Sequence, residues 1–151
     1  MSDTIVHNRI EVMHGVNLDQ LGRRDPLHYG PLTFDELERR IAGEASELGL
    51  KAQFFHTNHE GEFVEHLHRL EGVADGLILN PGAWTHYAYA IRDALELAAL
   101  PAVEVHLSDV DSRQEFRRTS VIRDLCIGRV AGKGPDGYGD ALLLLREELT
   151  R

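Results

Sequence analysis

The chain is poor in cysteine, in positive charge and in long apolar runs, and each shortage removes a class of function. Its one cysteine among 151 residues, Cys126, excludes an internal disulfide and a thiolate zinc centre. The apolar run around it predicts a buried structural thiol rather than a nucleophile. Lys and Arg number 16 against 25 Asp and Glu, for a formal net charge of −9 and a pI near 5.4. Such a surface repels a phosphate backbone, so nucleic acid is not an expected partner. No stretch approaches the roughly 20 apolar residues of a membrane helix. Residues 1–9 lack the apolar segment of a secretory signal. A cytoplasmic protein with no membrane partner is expected.

What is present reads as one domain, since 151 residues allow one real core but not two ordinary ones. A polar leader, residues 1–8, precedes a single domain, 9–151. Residues 10–13 read as a short buried strand, imperfect because of Glu11, and residues 14–31 show no period at all. A segment that long without periodicity is expected to be a lid or binding loop. Thr33 and Glu36 make a capping box, and Leu37, Ile41, Ala45 and Leu48 follow at helical spacing until Gly49. Strand candidates at 51–56, 76–80, 102–106 and 127–131 alternate with helices. The helices are marked by Asn58 as a cap before Phe63, Leu67 and Leu70; by residues 85–99; by a short helix at 113–117; and by Tyr138 to Leu149. Strict alternation predicts a parallel sheet covered on both faces, a doubly wound three-layer α/β fold.

In such sheets ligands bind where strands end. Residues 77–93, LILNPGAWTHYAYAIRD, are the stretch of most interest, with a strand that stops at Asn80, a tight loop, and a helix expected from Thr85. Asn80, His86 and Asp93 bring donors and acceptors to one edge. In the long loop, Arg24 and Tyr29 flank Pro26; a guanidinium favours phenolate and so makes tyrosine a better base, although taken alone the pair reads first as a surface aromatic beside a solvated arginine. An acid opposite would give the pair meaning. His106 ends the fourth strand and shares its face with Glu104, which would orient the imidazole and favour its protonated form. A strand-end histidine that merely hydrogen-bonds is the plainer alternative. Ser108, Arg113 and Arg117 beyond it fit a small carboxylate.

Two other patterns carry less. Gly132, Gly134 and Gly137 spell G-x-G-x-x-G between a strand and a helix, but Pro135 and Asp136 stand where a pyrophosphate needs close backbone approach, so a plain loop and cap is expected. His56, His59, His66 and His68 suggest a metal at first sight. His66 and His68 point to different helix faces, which makes solvated surface the better account.

Taken in order, GVNLDQLGRRDPLHYG, FFHTNHEGE, LILNPGAWTHYAYAIRDAL and PAVEVHLSDVDSRQEFRR resemble the type II 3-dehydroquinate dehydratases over residues 10–145. The resemblance implies a flavodoxin-like fold and conversion of a small anionic substrate, 3-dehydroquinate, to 3-dehydroshikimate in the shikimate pathway. No metal or organic cofactor is implied. By the same resemblance Tyr29 is the base, Arg24 keeps it phenolate-like, and Asn17 steadies an enolate through a water. His106, supported by Glu104, protonates the departing hydroxyl. Asn80, His86 and Arg117 contact ring hydroxyls, Leu107 and Ser108 cradle the carboxylate, and Asp93 reaches a neighbouring subunit's site. Trimers, commonly stacked into dodecamers, are the implied assembly.

The pattern is not followed everywhere. The usual G-P-N-L-N has Val16 and Asp19 here, and losing a loop proline is expected to loosen the turn that carries Asn17. The usual S-N-x-H-A-R reads Ser108-Asp109-Val110-Asp111-Ser112-Arg113, adding two acids near a site for an anion. Thr119 stands where a histidine is common. A paralogue acting on a related cyclic hydroxyketone, such as aminodehydroquinate, and a small-carboxylate-binding protein without turnover are the alternatives.

Overall fold

Runs of branched and large apolar residues form the strands, and capped amphipathic segments form the helices between them. The structure is a computed structural model that describes residues 7–29 and 31–151, Tyr29 through its backbone alone. Its elements in order are β1 (Arg9–His14), α1 (Pro26–Tyr29), α2 (Phe34–Glu47), β2 (Lys51–His56), α3 (Glu60–His68), β3 (Gly76–Asn80), α4 (Tyr89–Ala98), β4 (Ala102–His106), β5 (Gly128–Ala131) and α5 (Asp136–Leu149). Thr33 caps α2 as expected: its hydroxyl accepts from the Glu36 N–H at 3.2 Å and donates to the Glu36 carboxylate at 3.0 Å. Gly49, at φ 76°, ends the helix in the left-handed region. Most of the leader, residues 1–6, lies outside the described residues.

All strand pairs are parallel, in the order β2-β1-β3-β4-β5, which is the flavodoxin-like winding. Alternate residues feed two cores. Ile10, Val12, Ile78, Val103 and Val105 pack with Leu37, Ile41, Tyr138 and Leu142 under α2 and α5. Met13, Leu77 and Leu79 pack with Phe63, Leu67, Ile91 and Leu95 under α3 and α4. Among the described residues no helix is long and apolar enough to cross a membrane.

Several boundaries differ from expectation for local reasons. The stretch expected as aperiodic, 14–31, contains a 3-10 turn at Leu18–Gln20 and the one-turn α1. The third helix does not begin at Thr85: a 3-10 turn, Gly82–His86, comes first and α4 starts at Tyr89. The segment at 113–117 is not one short helix but two 3-10 turns, Val110–Ser112 and Glu115–Arg118. Asn58 does not cap α3; the helix begins after His59, and Thr57 accepts from the His59 N–H at 3.0 Å while donating to Glu62 at 2.6 Å. Nor is His66 solvated surface. It stacks on Phe55 at 3.8 Å and reaches the buried Glu11 carboxylate at 2.6 Å, which also accounts for the acid inside β1.

Candidate active site

Parallel winding reverses direction between β1 and β3, and a crevice opens at their carboxyl ends. The two exit loops meet there through glycines. A Cβ on Gly15 would stand 2.2 Å from the Pro81 carbonyl oxygen, and one on Gly82, at φ 67°, would stand 2.7 Å from the Val16 carbonyl. Only glycine lets these backbones approach so closely.

The crevice holds a cavity of ≈ 130 Å³ lined by Asn17, Arg24, Asn80, His86, His106, Leu107, Ser108, Arg113 and Arg117, among others. The residues singled out from the sequence are thus brought together, with three exceptions. Glu104 lies behind His106 rather than in the wall. Asp93 is exposed on α4, away from this chain's cavity. The Tyr29 side chain lies outside the described residues, although its backbone ends α1, on the loop that carries Arg24 into the cavity.

His106 Nε2 approaches Glu104 Oε2 at 2.5 Å, and both residues are buried. The pair follows from strand geometry, since residues two apart on β4 share a face. Burial pushes the Glu104 carboxyl upward, but His106, the Ser120 hydroxyl at 2.7 Å and Arg129 outweigh it and hold its pKa below the usual value. Across the cavity the His86 ring, near parallel to that of His106 with centroids 6.4 Å apart, donates from Nδ1 to the Thr119 carbonyl at 2.7 Å. Burial, with the nearby Arg117 guanidinium, lowers the His86 pKa. The ring is therefore neutral near pH 7, and its Nε2 is a pure acceptor, suited to a hydroxyl.

Asn80 is oriented from both ends. Its Oδ1 accepts from the Gly82 N–H at 3.2 Å, and its Nδ2 donates to the Tyr138 hydroxyl at 3.5 Å. Tyr138, wholly buried with its pKa pushed up to about 12, remains a neutral phenol able to accept. Ser108 receives Arg113 on its hydroxyl at 3.2 Å. The glycine motif serves this loop: the Gly134 N–H donates to the Leu107 carbonyl and the Gly132 N–H to the Ser108 carbonyl, both at 3.0 Å. Those N–H groups are occupied, as the loop-and-cap reading expects. Because peptides are planar and trans, the Leu107 carbonyl facing Gly134 turns the Ser108 N–H the other way.

The missing loop proline is offset. Asn17 adopts φ 69°, which a short polar side chain tolerates. Its N–H donates to Asn58 Oδ1 at 2.7 Å, Asn58 donates to Asp19 at 3.3 Å, and His56 stands 3.6 Å from Asp19. Of the two added acids, Asp109 is exposed, while Asp111 lies 3.5 Å from Arg129. Ser120, Tyr138 and Arg129 had no motif to mark them, and Asn58 stood in one only as an expected helix cap; long-range packing brings them to the site. Among the described residues no group of His, Cys, Asp and Glu could hold a metal ion. Cys126 is partly buried and its thiol is pushed up to about 12, as expected of a structural cysteine.

A winding of this kind, with an arginine-lined cavity at its switch point and a carboxylate-backed histidine in the wall, places the chain with α/β proteins that handle small anions by proton transfer. A family profile described as dehydroquinase class II matches residues 8–146. A 3-dehydroquinate dehydratase of Pelobacter propionicus is 49% identical over 144 residues, covering 94% of this chain and 96% of that protein. One of Thermotoga neapolitana is 48% identical over 139 residues, covering 92% and 94%. The crystal structure of type II dehydroquinase from Propionibacterium acnes superimposes with a TM-score of 0.89 at 37% identity, covering 96% of this chain and 99% of the other. The chain belongs to the class II dehydroquinase family.

Proposed function

We propose that the chain is a hydro-lyase that converts 3-dehydroquinate to 3-dehydroshikimate through an enolate. The observation that carries this is His106, backed by the buried Glu104 carboxylate at 2.5 Å, in the wall of a cavity lined by Arg24, Arg113 and Arg117. The arginines draw the anionic substrate into the cavity, and the Ser108 N–H and hydroxyl cradle its carboxylate. His86 Nε2 accepts from a ring hydroxyl, and the Asn80 amide offers its second N–H to another. Tyr29, made more acidic by Arg24, removes the proton beside the ketone. Asn17 steadies the enolate through a water. With Nε2 engaged by Glu104, His106 delivers its other ring proton, from Nδ1, to the departing hydroxyl.

A trimer-based homo-oligomer is part of the same reading. Tyr89, Asp93 and Leu97 recur at i, i+4 and i+8 on α4, so they share one outward face, and Tyr89 and Leu97 are 68% and 75% exposed. An apolar stripe with a central acid fits a subunit contact through which Asp93 enters a neighbour's site.

Purified protein incubated with 3-dehydroquinate should generate the conjugated enone, followed by ultraviolet absorbance. No signal at high protein concentration would overturn the proposal. Tyr29→Phe is expected to lose turnover by roughly 10²-fold or more while still binding a substrate-like inhibitor, and near-normal turnover would remove Tyr29 as the base.

A further inference from the structure

Glu104 accepts from three side chains, and one of them has no part in the proton-transfer scheme. Glu104 and Arg129 are register partners on β4 and β5, so their side chains leave the sheet on the same face, together with His106 two residues further on. Arg129 Nε lies 3.4 Å from Glu104 Oε2, the oxygen that His106 also uses, while Ser120 holds Oε1. Arg129 Nη1 lies 3.5 Å from Asp111 Oδ2. The Glu104 side chain is wholly buried and that of Arg129 is 11% exposed, whereas Asp111 is 54% exposed.

A carboxylate oxygen shared between a guanidinium and an imidazole gives the imidazole less than its full attraction. The guanidinium does not titrate, so the bias is permanent, and burial keeps it from being screened. Asp111 tempers it from the solvent side.

We propose that Arg129 is a positioning residue that, through Glu104 and with Asp111 as its counter-charge, sets how tightly His106 holds the proton it gives up. The proposal rests on His106 being the acid of the reaction. Arg129 draws carboxylate charge away from the imidazole and adds a like charge near it, which makes His106 a readier donor; Asp111 acts in the opposite sense. The remaining groups around the pair do not join Glu104 to the loop after β4. His86 faces His106 from the 82–86 turn, and Arg117, from the 115–118 turn, lines the same cavity. Cys126, close enough to feel the Glu104 charge, stays a neutral thiol with its pKa at about 12.

The test titrates histidine labelled with ¹³C at Cε1, with the His106 signal assigned by its loss in His106→Asn, alongside the pH profile of kcat/KM for 3-dehydroquinate. Removing a positive charge raises the proton affinity of the ring, and removing a negative one lowers it. Arg129→Gln should therefore move the His106 midpoint up by on the order of one pH unit, and Asp111→Asn should move it down by a smaller amount. Arg129→Lys keeps the charge and should stay near the wild-type midpoint. Arg129→Gln and Asp111→Asn midpoints that stay put, or move in the same direction, would overturn the proposal. If the midpoints diverge as expected while the alkaline limb of kcat/KM does not follow, the coupling stands and the assignment of His106 as acid fails instead.

Discussion

His14 is the residue whose chemistry is most at odds with its surroundings. It ends β1, its ring is fully buried, and it sits edge-on to Phe34 at 4.8 Å and parallel to Phe54 at 6.1 Å. Nε2 comes within 3.2 Å of Glu38 but outside hydrogen-bonding geometry, and neither ring nitrogen has a hydrogen-bond partner. Burial lowers its pKa below the ordinary 6.5 against the opposing pull of Glu38. A histidine held neutral in the fold adds stability that is complete above pH 6.5. That stability is lost as pH falls toward the depressed folded value, because the unfolded chain takes up the proton first, with a slope of at most about 1.4 kcal/mol per pH unit. His14→Leu should flatten the decline in melting temperature between pH 7 and 5 relative to the wild type. Parallel declines would show that the ring carries no such penalty. The sequence shows His14 only as a polar residue after a strand, and nothing local marks it as core.

At the scale of elements, the site depends on two loops whose backbones touch. Gly15 closes β1 and accepts no side chain against Pro81, and Gly82 lies in the left-handed region against Val16. Gly15→Ala forces a backbone shift in one loop or the other. A destabilisation of about 3 kcal/mol or more is expected, beyond the usual range for overpacking because the obstacle is main chain. It should appear as a lower urea midpoint together with weakened substrate binding. A variant with wild-type midpoint and KM would mean that the loops are free to separate. The capping box at Thr33, the stop at Gly49 and all five strands are readable from period and punctuation. The replacement of a helix at Thr85 by a 3-10 turn is not, because what holds His86 and Thr85 is remote: the Thr119 carbonyl on the His86 ring, and the Val121 N–H on the Thr85 carbonyl at 2.8 Å.

At the scale of the molecule, the outward face of α4 leaves Tyr89 and Leu97 exposed on either side of Asp93, and exposed apolar side chains aligned on one helix face suit a partner contact. Leu97→Asp places a second charge on that face, at the end of α4, and is distant from the cavity. Light scattering should show smaller particles. If Asp93 serves a neighbour's site, turnover should fall with the assembly, roughly 10-fold or more, since a positioning contact is lost in every subunit. Full activity in a dissociated variant would mean that each chain holds a complete site.

The sequence by itself determined the alternation of strands and helices, hence the parallel sheet and the edge at which the site lies. It also determined the Glu104–His106 face, because each of these follows from spacing along one segment. Tertiary structure decided the rest. The acid in β1 is met by His66 from α3, Asn17 is tied by Asn58, Asn80 is turned by Tyr138, and Asp111 is offset by Arg129. These partners stand 55, 41, 58 and 18 residues apart in the chain. No local period encodes such a meeting; it exists only once the sheet has stacked its strands and brought their carboxyl ends to one edge.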